Sequence, residues 1–475
     1  MAAMKKTVFI VLCLASLLVR ADGLPDLGDI AQATLSPLQE RQLGEQSMIE
    51  IRADKSYLDD AEVNDYLGQI GFRLVASSNS PGQEFDFFAL ADNAINAFSM
   101  PGGFIGVNTG LILATRSESE LASVLAHEIS HVTQHHIVRM IAGQKMDTLT
   151  SLAAIAVAIL AARSNPDASQ AAIIGAQAGS IQRQLNFTRS NEMEADRIGF
   201  ATLQDAGFDA HAMPAFFERL QKATRLLEGG IPPYLLTHPL TIERIADMDN
   251  RAQQIPFRLV ASSLEYDLVC ARLQSMKKPA QDAVAYFTDA LGAQKYGNQV
   301  AQRYGLVLAL LRSGQTARAA QEFAPLRDRV TQNPMIATLA GQIRRVTGGD
   351  KDLADFYAAA MQNFPQHRAL AYDYAELLLQ AGKNQDALKL LGDQLISHPD
   401  DAHLHELQAR TYEALGMLQD EHRVLARAYT LHGNLQAAIE QLELAKKAGS
   451  DYYQLSAIDS ELKRLREVEA AHHKR

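Results

Sequence analysis

Residues 121–137, LASVLAHEISHVTQHHI, carry two histidines four positions apart with a glutamate directly after the first: His127-Glu128-Ile129-Ser130-His131. On an α-helix a four-residue step returns a side chain to the same face about one turn on, so both imidazoles can reach a single ion. A carboxylate beside a water on a divalent metal can take that water's proton, which is the zinc-hydrolase reading of H-E-x-x-H. The flanks predict a helix here. Ser117 and Glu120 form an S-x-x-E capping box, Leu121, Leu125 and Val132 make an apolar stripe beside the histidine face, and Gly143 supplies a stop. In a chain of 475 residues with 14 histidines and 55 acidic residues the pattern can also arise by chance, so its context has to decide.

A protein zinc site needs a third ligand. His135 lies four residues beyond His131, but on a continuous helix it sits about 12 Å along the axis from His127, too far for one ion to bind all three. A second acidic helix is predicted over residues 186–200, NFTRSNEMEADRIGF, capped by Ser190 or Asn191, running to about Ala206 and stopped by Gly207. Glu192 and Asp196 share one face of it, and Glu194 points nearly the opposite way. Taken alone, Glu192 reads as an ordinary exposed helix glutamate.

HEISH followed by NEMEADRIG, with NAFSMPGGFIGVNTGLI before and THPLTIERI after, closely resembles the HtpX and CAAX-prenyl-protease family of zinc metallopeptidases, over residues 30–251. The resemblance implies that Glu192 is the third ligand of one Zn²⁺ held with His127 and His131. It also implies that Asp196 orients a ligating histidine and that Glu128 is the catalytic base. It makes His238 and Arg244 site candidates: His238 to stabilise an oxyanion or to fill the open metal position, Arg244 to pair with a substrate carboxylate or to brace its loop. The membrane-embedded members have long apolar spans that this chain lacks, which implies a soluble or peripheral relative.

Composition fits a folded protein of two or three domains, with 47 % apolar and 21 % charged residues. A net charge of −10 and the lack of a basic, aromatic-laced patch argue against nucleic acid or anionic lipid as the main partner. Residues 1–21 have the layout of a secretory signal, with Lys5 and Lys6, an apolar run over 8–19 and small or apolar residues around Val19-Arg20-Ala21. Removal of that segment takes Cys13 with it and leaves Cys270 as the only thiol, so no intramolecular disulfide is expected, which fits a bacterial periplasm. Residues 467–475 are charged and read as the one disordered tract.

Within the peptidase region, assigned to residues 22–255, Ser36-Pro37 opens a helix whose buried side carries Leu43, Met48 and Ile51. Residues 85–113 have strand character broken by Pro101-Gly102-Gly103, so a small hairpin or sheet precedes the histidine helix. The Ala-rich tracts 149–162 and 171–178, separated by Asn165-Pro166-Asp167, are too short for membrane spans and read as a buried or cleft-covering hairpin, with peripheral membrane contact as the alternative.

Beyond Ser262 the chain is helical. Gly314, Gly348, Gly382 and Gly416 recur at steps of 34, with Pro334, Pro365 and Pro399 between them, which is the tetratricopeptide period. Ala387 and Ala438 are small residues where paired helices pack. Capping helices are expected in 262–296 and after Ser450. The expected architecture is therefore mainly α: a gluzincin-type metallopeptidase domain with a small sheet, then an α-solenoid of repeats over 262–475. A concave solenoid suits extended or helical protein partners. Export signal, zinc peptidase and repeats together resemble periplasmic proteases of Gram-negative outer-membrane quality control. That resemblance implies unfolded or stalled outer-membrane proteins as substrates and the β-barrel assembly machinery as a partner of the repeats. The competing reading is a scaffold or chaperone whose peptidase site is inert or held closed.

Overall fold

The computed structural model describes residues 35–143, 178–226, 232–348 and 352–472. The signal-like segment and, but for Ala178, both Ala-rich tracts lie outside the described residues. The chain opens on α1 (Pro37–Ala53), where Ser36 accepts from Gln39 N and the Gln39 side chain returns to the Ser36 backbone, a complete capping box. Leu43, Met48 and Ile51 are its buried side, as the sequence predicts. After the short β1 (Tyr57–Leu58) comes α2 (Ala61–Ala76), capped by Asp60.

Three further strands, β2 (Asp86–Leu90), β3 (Ala97–Met100) and β4 (Phe104–Asn108), complete a sheet of order β1-β2-β4-β3. β3 and β4 form the predicted antiparallel hairpin, pairing Met100 with Phe104 and Ala97 with Val107 across a 3₁₀ turn at Pro101–Gly103. Gly103 has φ +86°, and a Cβ there would lie 2.0 Å from Glu84 O, so only glycine fits this corner. β2 runs parallel to β4, and β1, which has no sequence signature, pairs antiparallel with β2.

α3 (Thr109–Ala114) leads into α4 (Glu118–Thr133), the histidine helix, whose sixteen residues are all buried. It is thus enclosed on every side, more than an amphipathic stripe implies. Its capping box is only half formed. Ser117 accepts from Glu120 N, but the Glu120 carboxylate accepts from Arg116 N at 2.7 Å and from both terminal nitrogens of Arg219 at 2.5 Å instead of returning to Ser117. Nor does the helix run on to Gly143. It ends at Thr133, His135 turns the backbone at φ +51°, and α5 (His136–Gly143) starts afresh.

α6 (Ala178–Asp205) crosses α4. It begins well before Ser190 and Asn191, so neither caps it, and the stop at Gly207 holds, with φ +78°. Gly199 sets the close approach: a Cβ there would meet Ala126 C, Ala126 O and His127 N at 3.1 Å. α7 (Ala212–Leu226), the short α8 (Pro233–Thr237) and α9 (Ile242–Ala252) close the peptidase region.

The repeats follow as α10 (Leu264–Lys277), α11 (Ala280–Gly292), α12 (Gln299–Arg312), α13 (Thr316–Phe323), α14 (Pro334–Thr347), α15 (Leu353–Asn363), α16 (Arg368–Gln380), α17 (Asn384–Ser397), α18 (Ala402–Ala414), α19 (Leu418–Leu431), α20 (Leu435–Ala448) and α21 (Tyr452–His472). Gly314, Gly348, Gly382 and Gly416 have φ +75°, +70°, +69° and +73°, each at the turn between two helices, the left-handed position that glycine occupies without strain. Ala387 and Ala438 are fully buried at helix contacts. α21 continues through most of the charged tail that the sequence marks as disordered.

One apolar core runs from the peptidase helices into the first repeats, joining Leu121, Phe216 and Tyr266 to Tyr304 and Ile336. Polar links reinforce the junction: Arg272 to Asp60, His367 to Glu62 and Arg368 to both Asp65 and Asp401. At the far end, a Cβ on Gly433 would lie 2.4 Å from Ile49 O, so the turn between α19 and α20 rests on α1.

Candidate metal centre

α4 brings His127 and His131 onto one face, and α6 lays Glu192 across them. His127 Nε2 and His131 Nε2 are 3.0 Å apart, and Glu192 lies 3.4 Å from the first and 3.5 Å from the second. His238, just after α8, completes the group, with Nδ1 3.3 Å from His127 Nε2 and 3.1 Å from both Glu192 oxygens. All four residues are buried, and each offers a donor atom within 4.8 Å of the others.

Imidazole nitrogens 3.0 Å apart present lone pair to lone pair unless a proton or cation stands between them. Donors about 2 Å from a tetrahedral ion lie roughly 3.3 Å from one another. The donor separations given above, 3.0 to 3.5 Å, have that size. The donor set, imidazole nitrogen and carboxylate oxygen, suits a divalent transition metal. These residues therefore fit a metal.

Around them a layer of polar groups fixes orientation. Asp196 Oδ1 lies 3.0 Å from His127 Nδ1. Arg244, only 2 % exposed, holds Asp196 with two nitrogens at 2.6 and 2.8 Å, reaches Glu192 at 3.0 Å and donates to Pro239 O at 2.8 Å. Its guanidinium is committed to these partners inside the protein, which is the arrangement a bracing residue has. Glu128 is fully buried, and neither of its carboxylate oxygens makes a hydrogen bond; His238 Nε2 comes within 3.3 Å of Oε1 but is not aligned to donate. A buried carboxylate without a donor is costly, and such cost is concentrated where chemistry occurs.

The electrostatics are those of a strongly coupled group. Burial opposes the charged form of His127, but Asp196 and Glu192 outweigh it and push its pKa up to about 9. Burial carries His131 the other way, well below the usual imidazole range. For Glu192 burial opposes ionisation, yet His238 and His131 hold its carboxyl well below the ordinary value; burial also opposes ionisation of Asp196, but Arg244 and His127 outweigh it and lower its pKa.

Residues 61–252 match the family model Peptidase family M48, and residues 354–411 match Tetratricopeptide repeat. The beta-barrel assembly-enhancing protease of Escherichia coli K12 is 34 % identical over 456 residues, covering 94 % of this chain and 92 % of its own. This chain belongs to that family of M48 metallopeptidases. The Yersinia pestis relative of the same description is 33 % identical over 95 % of this chain and 94 % of its own. Mitochondrial metalloendopeptidase OMA1 of Arabidopsis thaliana is 29 % identical over 41 % of this chain and 38 % of its own. Among solved structures, MamA from Desulfovibrio magneticus RS-1 covers 37 % of this chain and 97 % of its own at 15 % identity, with a TM-score of 0.27 that is too low to bear on the fold.

The M48 assignment makes the chain a metalloendopeptidase followed by protein-interaction repeats, and a metal belongs in its site. Every site residue the sequence singles out lies in one cluster: His127, Glu128, His131, Glu192, Asp196, His238 and Arg244. Two neighbours were missed. Tyr234 is fully buried with its ring centroid 4.8 Å from that of His238, and its hydroxyl has no hydrogen-bond partner among the described residues. His136 packs on His131. The doublet His135-His136 is the one signal that could have pointed to it. Among the described residues no helix is long and apolar enough to cross a membrane.

Proposed function

We propose that the chain is a periplasmic zinc endopeptidase of outer-membrane protein quality control, with one Zn²⁺ held by His127, His131 and Glu192. The observation that supports it most is the set of converging donor atoms at 3.0 to 3.5 Å beside an unpartnered Glu128. Bound zinc supplies Lewis acidity toward a peptide carbonyl and acidifies a neighbouring water. The rest falls to the chain. Glu128 takes a proton from the water as its oxygen attacks the carbonyl carbon, and returns it to the amine nitrogen as the C–N bond breaks. Asp196 holds His127 by its outer nitrogen, and Arg244 keeps Glu192 and Asp196 in place.

His238 stands where a substrate or water would enter, against His127, Glu192 and Glu128 at once. It is the fourth donor of a closed, latent site. This supports latency ahead of a site that is inert for want of residues. The relatives' name, beta-barrel assembly-enhancing protease, supports a role in β-barrel assembly, for which stalled outer-membrane proteins are the proposed substrates, and the repeats support docking on the machinery that inserts β-barrels.

Glu128→Gln keeps metal stoichiometry and lowers cleavage of an unfolded substrate about 10²- to 10⁴-fold; cleavage at the parent rate sinks the mechanism. His238→Ala raises cleavage above that of the parent. A rate unchanged in His238→Ala contradicts latency and favours the scaffold.

A further inference from the structure

One polar chain touches the metal centre and has no part in the proposed mechanism. It exists because α4 breaks. On a continuous helix a residue five beyond His131 would stand about 140° round the axis and 7.5 Å along it, out of reach. His135 instead turns the backbone at φ +51°, a left-handed position that strains a non-glycine residue. The turn is held by Gln134 N on Ser130 O at 3.0 Å, by His135 N on Val132 O at 2.9 Å, and by Glu40 at 3.3 Å from His135 Nδ1. Its result is that His136 Nδ1 lies 2.9 Å from His131 Nδ1. His136 is 3 % exposed, and its other nitrogen, Nε2, faces Glu194 Oε2 at 3.2 Å. The same carboxylate oxygen accepts from Arg139 at 3.0 Å.

The proton positions along this chain follow from its far end. Glu194, with no proton of its own to give, requires His136 Nε2 to carry one. A neutral His136 then has a bare Nδ1, which can only accept, and the donor facing it is His131 Nδ1–H. That leaves His131 Nε2 bare and turned toward His127 and Glu192. The reverse arrangement places a lone pair of His136 against the carboxylate and a proton on His131 Nε2, where a ligand is needed. Orientation and tautomer of a ligating imidazole are commonly set by such an outer hydrogen bond. His127 has a carboxylate directly on its outer nitrogen, whereas His131 reaches one only through a second imidazole.

We infer that His136 is a positioning residue of the metal centre, accepting the His131 Nδ1 proton while Glu194 and Arg139 lock it in the tautomer that leaves His131 Nε2 free to bind the ion. This rests on the proposed reading of His131 as a ligand.

The test is zinc affinity of the full chain by competition with a chromophoric chelator, independent of proteolysis. His136→Phe keeps ring volume without an acceptor and weakens zinc binding about 10- to 100-fold. His136→Gln, whose amide has both an acceptor and a donor, recovers most of the loss, which a purely space-filling residue would not show. Glu194→Ala, at a partly exposed position, weakens binding by about threefold or more. Parent affinity in both His136→Phe and Glu194→Ala overturns the inference, as does a His136→Gln protein as weak as His136→Phe. Glu192→Ala distinguishes the two levels: its loss of zinc beside a parent-like His136→Phe refutes only the positioning role, whereas its retention of parent affinity refutes the ligand set itself.

Discussion

At the junction of peptidase and repeats each buried cation faces an anion: Arg272 with Asp60, Arg368 with Asp65 and Asp401, His367 with Glu62 at 3.0 Å. At the metal centre three imidazoles and a carboxylate turn donor atoms on one another at similar distances. Both regions are buried and polar, so burial alone does not separate them. What separates them is charge: at the junction opposite charges face each other, even where Glu62 and His367 make no aligned hydrogen bond, whereas a ring of lone pairs is complete only with a cation inside. Charge pairing therefore marks a structural contact, and crowding of like donors marks a ligand site.

Arg244 joins the two types, since its guanidinium lies at the metal centre and makes a junction-like pair with Asp196. Arg244→Met strands two buried carboxylates and lowers stability by about 3–5 kcal/mol, the cost of breaking a buried pair. Urea denaturation reads it, and a loss under about 1 kcal/mol would mean that Arg244 braces nothing.

The junction has its own pH signature. Burial opposes charge on His367, but Glu62 prevails and its pKa is raised above 6.5; burial opposes Glu62 ionisation, but His367 brings its pKa below 4.5. Arg272, Asp65, Arg368 and Thr338 face the pair from the elements around it. A raised histidine stabilises fully below 6.5 and loses that effect as pH rises through its folded value. A lowered glutamate stabilises above 4.5 and loses its effect as pH falls. The pair is therefore strongest between 4.5 and 6.5. The stability gap between parent and His367→Gln is larger at about pH 6 than at about pH 8.5; a gap constant with pH would mean the pair is not ionic.

The smallest effect lies outside both regions. Gly382 has φ +69°, and no described atom lies within 4 Å of where a Cβ would stand, so Gly382→Ala costs backbone strain alone, about 1 kcal/mol. Zinc affinity stays at the parent value in this variant, and a change there would show that the repeats and the metal centre are coupled.

Legibility in the sequence follows the same division. His127, His131, Glu192 and Asp196 were legible because helical spacing places them on common faces, and the family pattern joined the two helices. The repeat glycines were legible because their left-handed turns recur with a fixed period. Gly433 was not, because it follows Gly416 by 17 residues and its smallness serves contact with α1. The break after Thr133 was hidden for a related reason: Gln134 and His135 are neither glycine nor proline, and Glu40, which meets His135, is far away in the chain. Arg272 and Asp60 are 212 positions apart and Arg368 and Asp65 are 303, so no local pattern announces the junction.

The central claim is that two helices separated by some sixty residues clasp one divalent ion. Anomalous diffraction at the zinc edge from crystals of the full chain tests it directly. The expected result is a single strong peak about 2 Å from His127 Nε2, His131 Nε2 and the Glu192 carboxylate. Zinc bound elsewhere, or bound by the histidines with Glu192 turned away, would contradict the account.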